Sequence, residues 1–158
     1  MYHIGQHVTH PMHGAGTICE QVERRADGQV KQYFVLKLVR GGLQLFVPCD
    51  GCEKIGLRPI MTMQEADGFL QELSALQPEN TGNWNQRYKE NIERLRSGQP
   101  LQVAVVIKSL HLREKMKHLS TGERKMLNTA WQVLTSELAL AKVCAVDEAE
   151  ELLRAALK

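Results

Sequence analysis

Near Pro59 the hydrophobic period of the chain changes from two to about 3.6, and that change constrains the fold more than any other feature. Before it, short runs rich in Val, Ile, Tyr and Phe are separated by Gly, Pro and Asp, the pattern of strands and turns. Val8 leads into the turn His10-Pro11-Met12-His13-Gly14-Ala15-Gly16, and Thr17 to Glu23 resumes a strand. Asp27-Gly28 is a hairpin signal of the kind that needs positive φ. Gln32 to Val39 is strongly β-prone and is closed by Gly41-Gly42. In the next strand Leu43, Leu45 and Val47 alternate with Gln44 and Phe46, which sends Phe46 to the solvent face.

After Met61 the apolar residues recur at helical spacing. Phe69, Leu70, Leu73 and Leu76 mark a first helix, ended by the loop from Gln77 to Asn83. Trp84, Tyr88, Ile92 and Leu95 form one stripe of a second, which stops at Ser97-Gly98. Pro100 opens a third, with Val103, Val106, Ile107 and Leu110 buried and Lys108, Arg113, Lys115 and Lys117 presented to water. Ser120-Thr121-Gly122-Glu123 is a capping box that starts a long helix with Leu127, Ala130, Val133 or Leu134, Leu138 and Ala141 inside. Asp147 with Glu150 repeats the cap pattern for a last helix. The expectation is an α+β chain: a small SH3- or Tudor-like antiparallel β-barrel over 1–60, then an all-helical domain over 61–158.

At 158 residues with 43% hydrophobic and 24% charged content, the chain fits one ordinary domain or two small ones. No apolar run approaches the roughly 20 residues that span a bilayer, and Met1-Tyr2-His3-Ile4-Gly5 lacks the basic and apolar regions of a signal peptide. A cytoplasmic protein with no membrane partner is expected, its four cysteines free thiols or metal ligands rather than disulfides. The net charge of +2 hides an uneven distribution. From Trp84 to Lys125 there are ten Lys and Arg against four acids, and from Met126 onward three against five. A basic middle beside an acidic tail implies a charged face.

Trp84 is the ambiguous member of its stripe. Burial is the ordinary fate of a large apolar ring. At a helix start after a loop, however, the next turn covers it least, and Arg87 and Lys89 flank it. An exposed indole between cations suits nucleic acid, the cations holding phosphates while the ring wedges against a base step. Cys49-Asp50-Gly51-Cys52 has the spacing of half a zinc knuckle, which His10, His13 and Cys19 could complete. No second Cys-x-x-Cys supports it, so neither metal nor cofactor is expected, a zinc-binding regulatory variant remaining an alternative. The same pair lies in a turn without the helix N-terminus that activates a thiol. Six scattered histidines supply no nucleophile, base and orienter that could meet, so the chain does not read as an enzyme.

His10 to Gly16 after a Gly-x-x-Val strand, Tyr33-Phe34-Val35-Leu36-Lys37, Val47-Pro48, Asn83-Trp84-Asn85-Gln86-Arg87-Tyr88-Lys89 and Leu119-Ser120-Thr121-Gly122-Glu123-Arg124-Lys125-Met126-Leu127 together resemble the CarD/CdnL family of bacterial transcription regulators. The likeness covers nearly the whole chain. It implies a Tudor-like amino-terminal domain, shared with the transcription-repair coupling factor, that binds the β subunit of RNA polymerase. It further implies a helical domain that binds promoter DNA in the minor groove, without sequence specificity, just upstream of the bubble and stabilises the open complex. The family's wedge tryptophan falls on Trp84, its phosphate contacts on Arg87 and Lys89, and a second basic motif on Arg124 and Lys125. This favours the wedge over core packing. Lys108, Arg113 and Lys115 extend the expected DNA-binding face. Family members often place an arginine on each of two polymerase-binding strands; Arg24 matches the first, whereas Phe46 occupies the second position. Phe46 there would replace an ionic contact by an apolar one, or pack against the helical domain. The rival reading is an adaptor whose barrel binds a different protein while the helices touch DNA weakly. Nothing in the sequence demands more than a monomer.

Overall fold

The computed structural model describes residues 2–78 and 82–158; residues 79–81, the middle of the expected loop before Trp84, lie outside the described residues. Five strands come first: β1 (His7–His10), β2 (Gly14–Ala26), β3 (Gln29–Leu38), β4 (Gln44–Pro48) and β5 (Arg58–Pro59). They form one antiparallel sheet in the order β4-β3-β2-β1-β5. The β2–β3 hairpin turns on Asp27 and Gly28, with φ of 53° and 76°, the left-handed pair that the Asp-Gly dipeptide signals. A bulge between Ile18 and Glu20 breaks the β2–β3 register and bends the sheet. Val8, Ile18, Phe34, Leu36, Val47, Cys52 and Leu57 pack as its core.

The sheet is open, not the closed barrel expected. Both edge strands are short and each carries a proline, Pro48 and Pro59, whose missing N–H cannot extend a ladder. Leu43, expected inside, is 67% exposed ahead of β4, while Leu45 is half-buried and Val47 buried. Phe46 does point away from that core, yet it is only half-exposed. Its cross-strand partner is Val35, which it helps to bury, and the Arg24 guanidinium lies 3.9 Å from its ring centroid.

The helices are α1 (Met63–Glu72), with a short 3₁₀ turn over Leu73–Ala75, then α2 (Trp84–Arg96), α3 (Pro100–Met116), α4 (Thr121–Ala141) and α5 (Val146–Ala156). Thr62 with Glu65 and Ser120 with Glu123 form capping boxes at α1 and α4, and the Asn83 side chain accepts from Gln86 N–H at the start of α2. The cap expected at Asp147 is not made. The helix starts earlier, at Val146, because that side chain packs on the helical core, which leaves Asp147 and Glu148 in the first turn, where they face the positive end of the dipole. Phe69, Leu73, Leu95, Val103, Val106, Ile107, Leu110, Leu134, Leu138 and Leu153 fill the helical core around α3 and α4.

The sheet and the helices share a polar seam. Thr135, Ser136 and Glu137 would face water on an isolated α4 but are buried, because that side of the helix meets β1 and β2. Ala15 N–H donates to Ser136 Oγ at 2.9 Å. Glu137 accepts two bonds of 2.7 Å from the Arg58 guanidinium and one of 2.8 Å from Met61 N–H, while Arg58 Nε donates to Gly98 O. The fork geometry and the extra N–H meet the carboxylate's needs, without which burying it would be costly.

Candidate functional site

Trp84 is the first residue of α2 and is 42% exposed, so it is not a core residue. One face of its indole stacks on Tyr88, one turn on, with ring centroids 5.0 Å apart and planes inclined by 19°. Its Nε1–H donates to Glu123 Oε1 at 3.3 Å. The stripe that suggested core packing holds for Leu95, which is buried, and partly for Ile92 and Tyr88, which are half-buried. Cover declines toward the helix start.

Tyr88 is supported in turn by the first turn of α4. A Cβ at Gly122 would lie 3.1 Å from Tyr88 Cε2, so the absent side chain lets the phenol ring lie close over that helix start. The capping box, read from sequence as a helix signal alone, therefore also underpins the exposed ring. Glu123, marked in the sequence as the acid of a capping box within an otherwise basic motif, also meets the Trp84 indole, a contact that sequence reasoning missed.

Of the eight residues expected to meet DNA, Trp84, Lys89, Lys115, Arg124 and Lys125 are exposed. Among the described residues Lys89, Lys115 and Lys125 form no ion pair, and Arg124 meets Glu114 at 3.6 Å in a solvent-exposed pair worth little. Arg87 is half-buried, its Nη1 donating to Gly82 O at 2.8 Å and its Nε without a hydrogen-bond partner among the described residues. Lys108 and Arg113 are not presented to water as expected. Lys108 Nζ donates to Leu76 O at 2.8 Å, securing the end of the 3₁₀ turn. Arg113 is drawn inward to Glu123, 3.7 Å away, with its side chain 21% exposed.

At the sheet, Arg24 on β2 and Phe46 on β4 are brought together across β3. Strand pairing puts Val22 opposite Tyr33, Tyr33 opposite Pro48 and Val35 opposite Phe46, so this face carries an aromatic and aliphatic strip under the Arg24 guanidinium. Phe46 packs with its own sheet and not on the helical domain.

Cys49 and Cys52 do not meet His10, His13 and Cys19. Among the described residues no three His, Cys, Asp or Glu side chains come close enough to hold a metal ion. Burial raises both thiols' pKa above the ordinary value, and each neighbour's negative charge adds to it. His10 is half-buried beside His13, with ring centroids 4.8 Å apart; burial first, then the neighbouring imidazole, lowers its pKa to about 4. Neutral Nδ1 there accepts from Met12 N–H at 3.1 Å and fixes the β1–β2 turn. Among the described residues no helix is long and apolar enough to cross a membrane.

Comparison with known proteins bears on both ends of the chain. Residues 69–154 match the family model described as CarD, C-terminal domain, and residues 2–61 match the CarD-like/TRCF RID domain. A proposed transcription factor of Bacillus subtilis (strain 168), YdeB, is 28% identical over 142 residues, covering 90% of this chain and 93% of the relative.

Proposed function

The chain belongs to the CarD family, and on that premise we propose that this transcription factor binds the β subunit of RNA polymerase through its sheet and promoter DNA through its helices, stabilising the open complex. The observation that carries the reading is Trp84. A ring 42% exposed, stacked on Tyr88 and anchored through its N–H, is a costly ornament on a free surface and a suitable wedge for a base step. The exposed Lys89, Lys115, Arg124 and Lys125 supply phosphate contacts, and Arg87 joins them by releasing Gly82 O. Unstacking a base step costs roughly a few kcal/mol, so such a wedge favours DNA that is already opening, at the upstream edge of the bubble.

The polymerase contact is assigned to the Arg24–Phe46 strip. Its ring and guanidinium form one patch that is apolar in body and cationic at the rim, a composition common at interface anchors. Division of labour follows the boundary near residue 60: the part over 1–60 holds polymerase, that over 61–158 holds DNA. The protein works as a cytoplasmic monomer by binding alone, without a catalytic step or a cofactor.

Open-complex lifetime on a promoter fragment, measured after heparin challenge with and without saturating protein, tests the whole reading. A longer lifetime is expected; identical decay rates overturn it. Pull-down with polymerase then separates this reading from an adaptor for another protein, which would leave polymerase behind.

A further inference from the structure

Glu123 carries more hydrogen bonds than its place in a capping box requires. The box needs one carboxylate oxygen to accept from Ser120 N–H, here at 3.2 Å. The same Oε1 also accepts from the Ser120 hydroxyl at 3.0 Å and from Trp84 Nε1–H at 3.3 Å, while Oε2 faces Arg113 Nε at 3.7 Å. The side chain is only 6% exposed. Such a carboxylate is tolerated only when donors surround it, and in return it is held rigidly. An indole stacked on one neighbour can still turn in the plane of the stack. A bond from its edge to a fixed oxygen stops that turn.

We propose that Glu123 is a positioning residue for Trp84, fixing the ring in the orientation in which it meets DNA and occupying its sole hydrogen-bond donor. The inference rests on the wedge reading of Trp84 and deepens it. Indole has one N–H and no acceptor, and the minor groove offers acceptors at both A·T orientations. A free N–H could bond to them and make the wedge sensitive to base identity. With Nε1–H held by Glu123, the ring meets a base step through its open face and carbon edge alone. Preorganisation also lowers the ordering cost at insertion, since a loose ring would have to be immobilised when it binds.

The test uses the full chain carrying Trp131→Phe, which leaves Trp84 as the single tryptophan of the two in the sequence. Time-resolved anisotropy and acrylamide quenching then report the indole of the polymerase-free protein. Glu123→Ala is expected to lower the residual anisotropy and raise quenching, and to shorten open-complex lifetime about two- to tenfold, the range of one newly mobile side chain. Glu123→Gln keeps an acceptor oxygen and should restore the wild-type readings. Glu123→Asp keeps a helix-start carboxylate but withdraws it by one methylene, and should loosen the ring even if Glu123→Ala does not fold. Ser120→Ala weakens the cap while leaving the indole's acceptor, and should lower the melting temperature with anisotropy unchanged. Unchanged anisotropy and quenching in folded Glu123→Ala or Glu123→Asp, or equal loosening in Ser120→Ala, overturns the proposal and leaves Glu123 a cap alone. If Trp84→Ala does not shorten the open complex, the promoter reading fails while the fluorescence result still decides the positioning role.

Discussion

Trp84→Ala separates a wedge from a core residue by making the two predict different melting temperatures. Truncating a core tryptophan typically costs about 3–5 kcal/mol through lost burial and an unfilled cavity. Here the ring is 42% exposed and lies at the end of α2, so water fills the space it leaves. The losses are the Tyr88 stack and one hydrogen bond, and Glu123 keeps its Ser120 donors and its Arg113 cation. Together they amount to about 1–2 kcal/mol once water replaces the indole donor. For a chain of this size that corresponds to a fall in Tm of about 2–8 °C. Circular dichroism on heating should therefore show a folded variant that still binds polymerase, while heparin-challenged open complexes decay as they do without the protein. A Tm lowered by well over 10 °C would return Trp84 to the core, and a folded variant with full activity would end the wedge argument.

Phe46→Ser should weaken polymerase β-subunit binding and, because Phe46 helps cover Val35, also lower Tm by a few degrees; undiminished binding on titration of the β subunit would refute the contact. Duplex DNA binding should lose about two units of salt slope in the Lys89→Ala, Lys125→Ala double variant and none in Lys108→Ala, whose ammonium is committed to Leu76 O; fluorescence titration at several salt concentrations checks both. His10 binds a proton more readily unfolded than folded, since its folded pKa of about 4 lies below the ordinary value. Its stabilising contribution is complete above about pH 6.5 and is lost as pH falls toward 4, because burial and then the neighbouring His13 disfavour the charged ring, which would also give up its bond from Met12 N–H, and His10→Gln should flatten Tm against pH over that window.

The change of period near Pro59 made the α+β order legible, and local chemistry placed the sharpest features: Asp27-Gly28 turns as its dipeptide requires, and Ser120 with Glu123 caps α4. Sheet closure was not legible because strand count does not reveal whether edge strands meet, and the prolines at β4 and β5 argue against closure only once those strands are known to be edges. Alternation gave the face of Phe46 correctly but not its cover, since Arg24 comes from a strand two places away. Lys108 and Arg113 were misread for the same reason. Helical periodicity shows which side of α3 a cation leaves, while a carbonyl at Leu76 or a carboxylate at Glu123 decides where it ends. The polar run Thr135-Ser136-Glu137 could be recognised as buried only with the sheet in place.

The Arg58–Glu137 fork has a geometric consequence. It joins β5 to α4, and Arg58 Nε also grips Gly98 O just beyond the end of α2, whose other end carries Trp84. Under the proposed function, with polymerase at one end and DNA at the other, the molecule would act as a caliper whose hinge is clamped. Duplex DNA advances about 3.4 Å per base pair, so a slackening of only a few ångströms at that hinge would carry the indole to the neighbouring step. On the proposed reading, the step wedged would then be chosen by distance from the enzyme, with no base needing to be read.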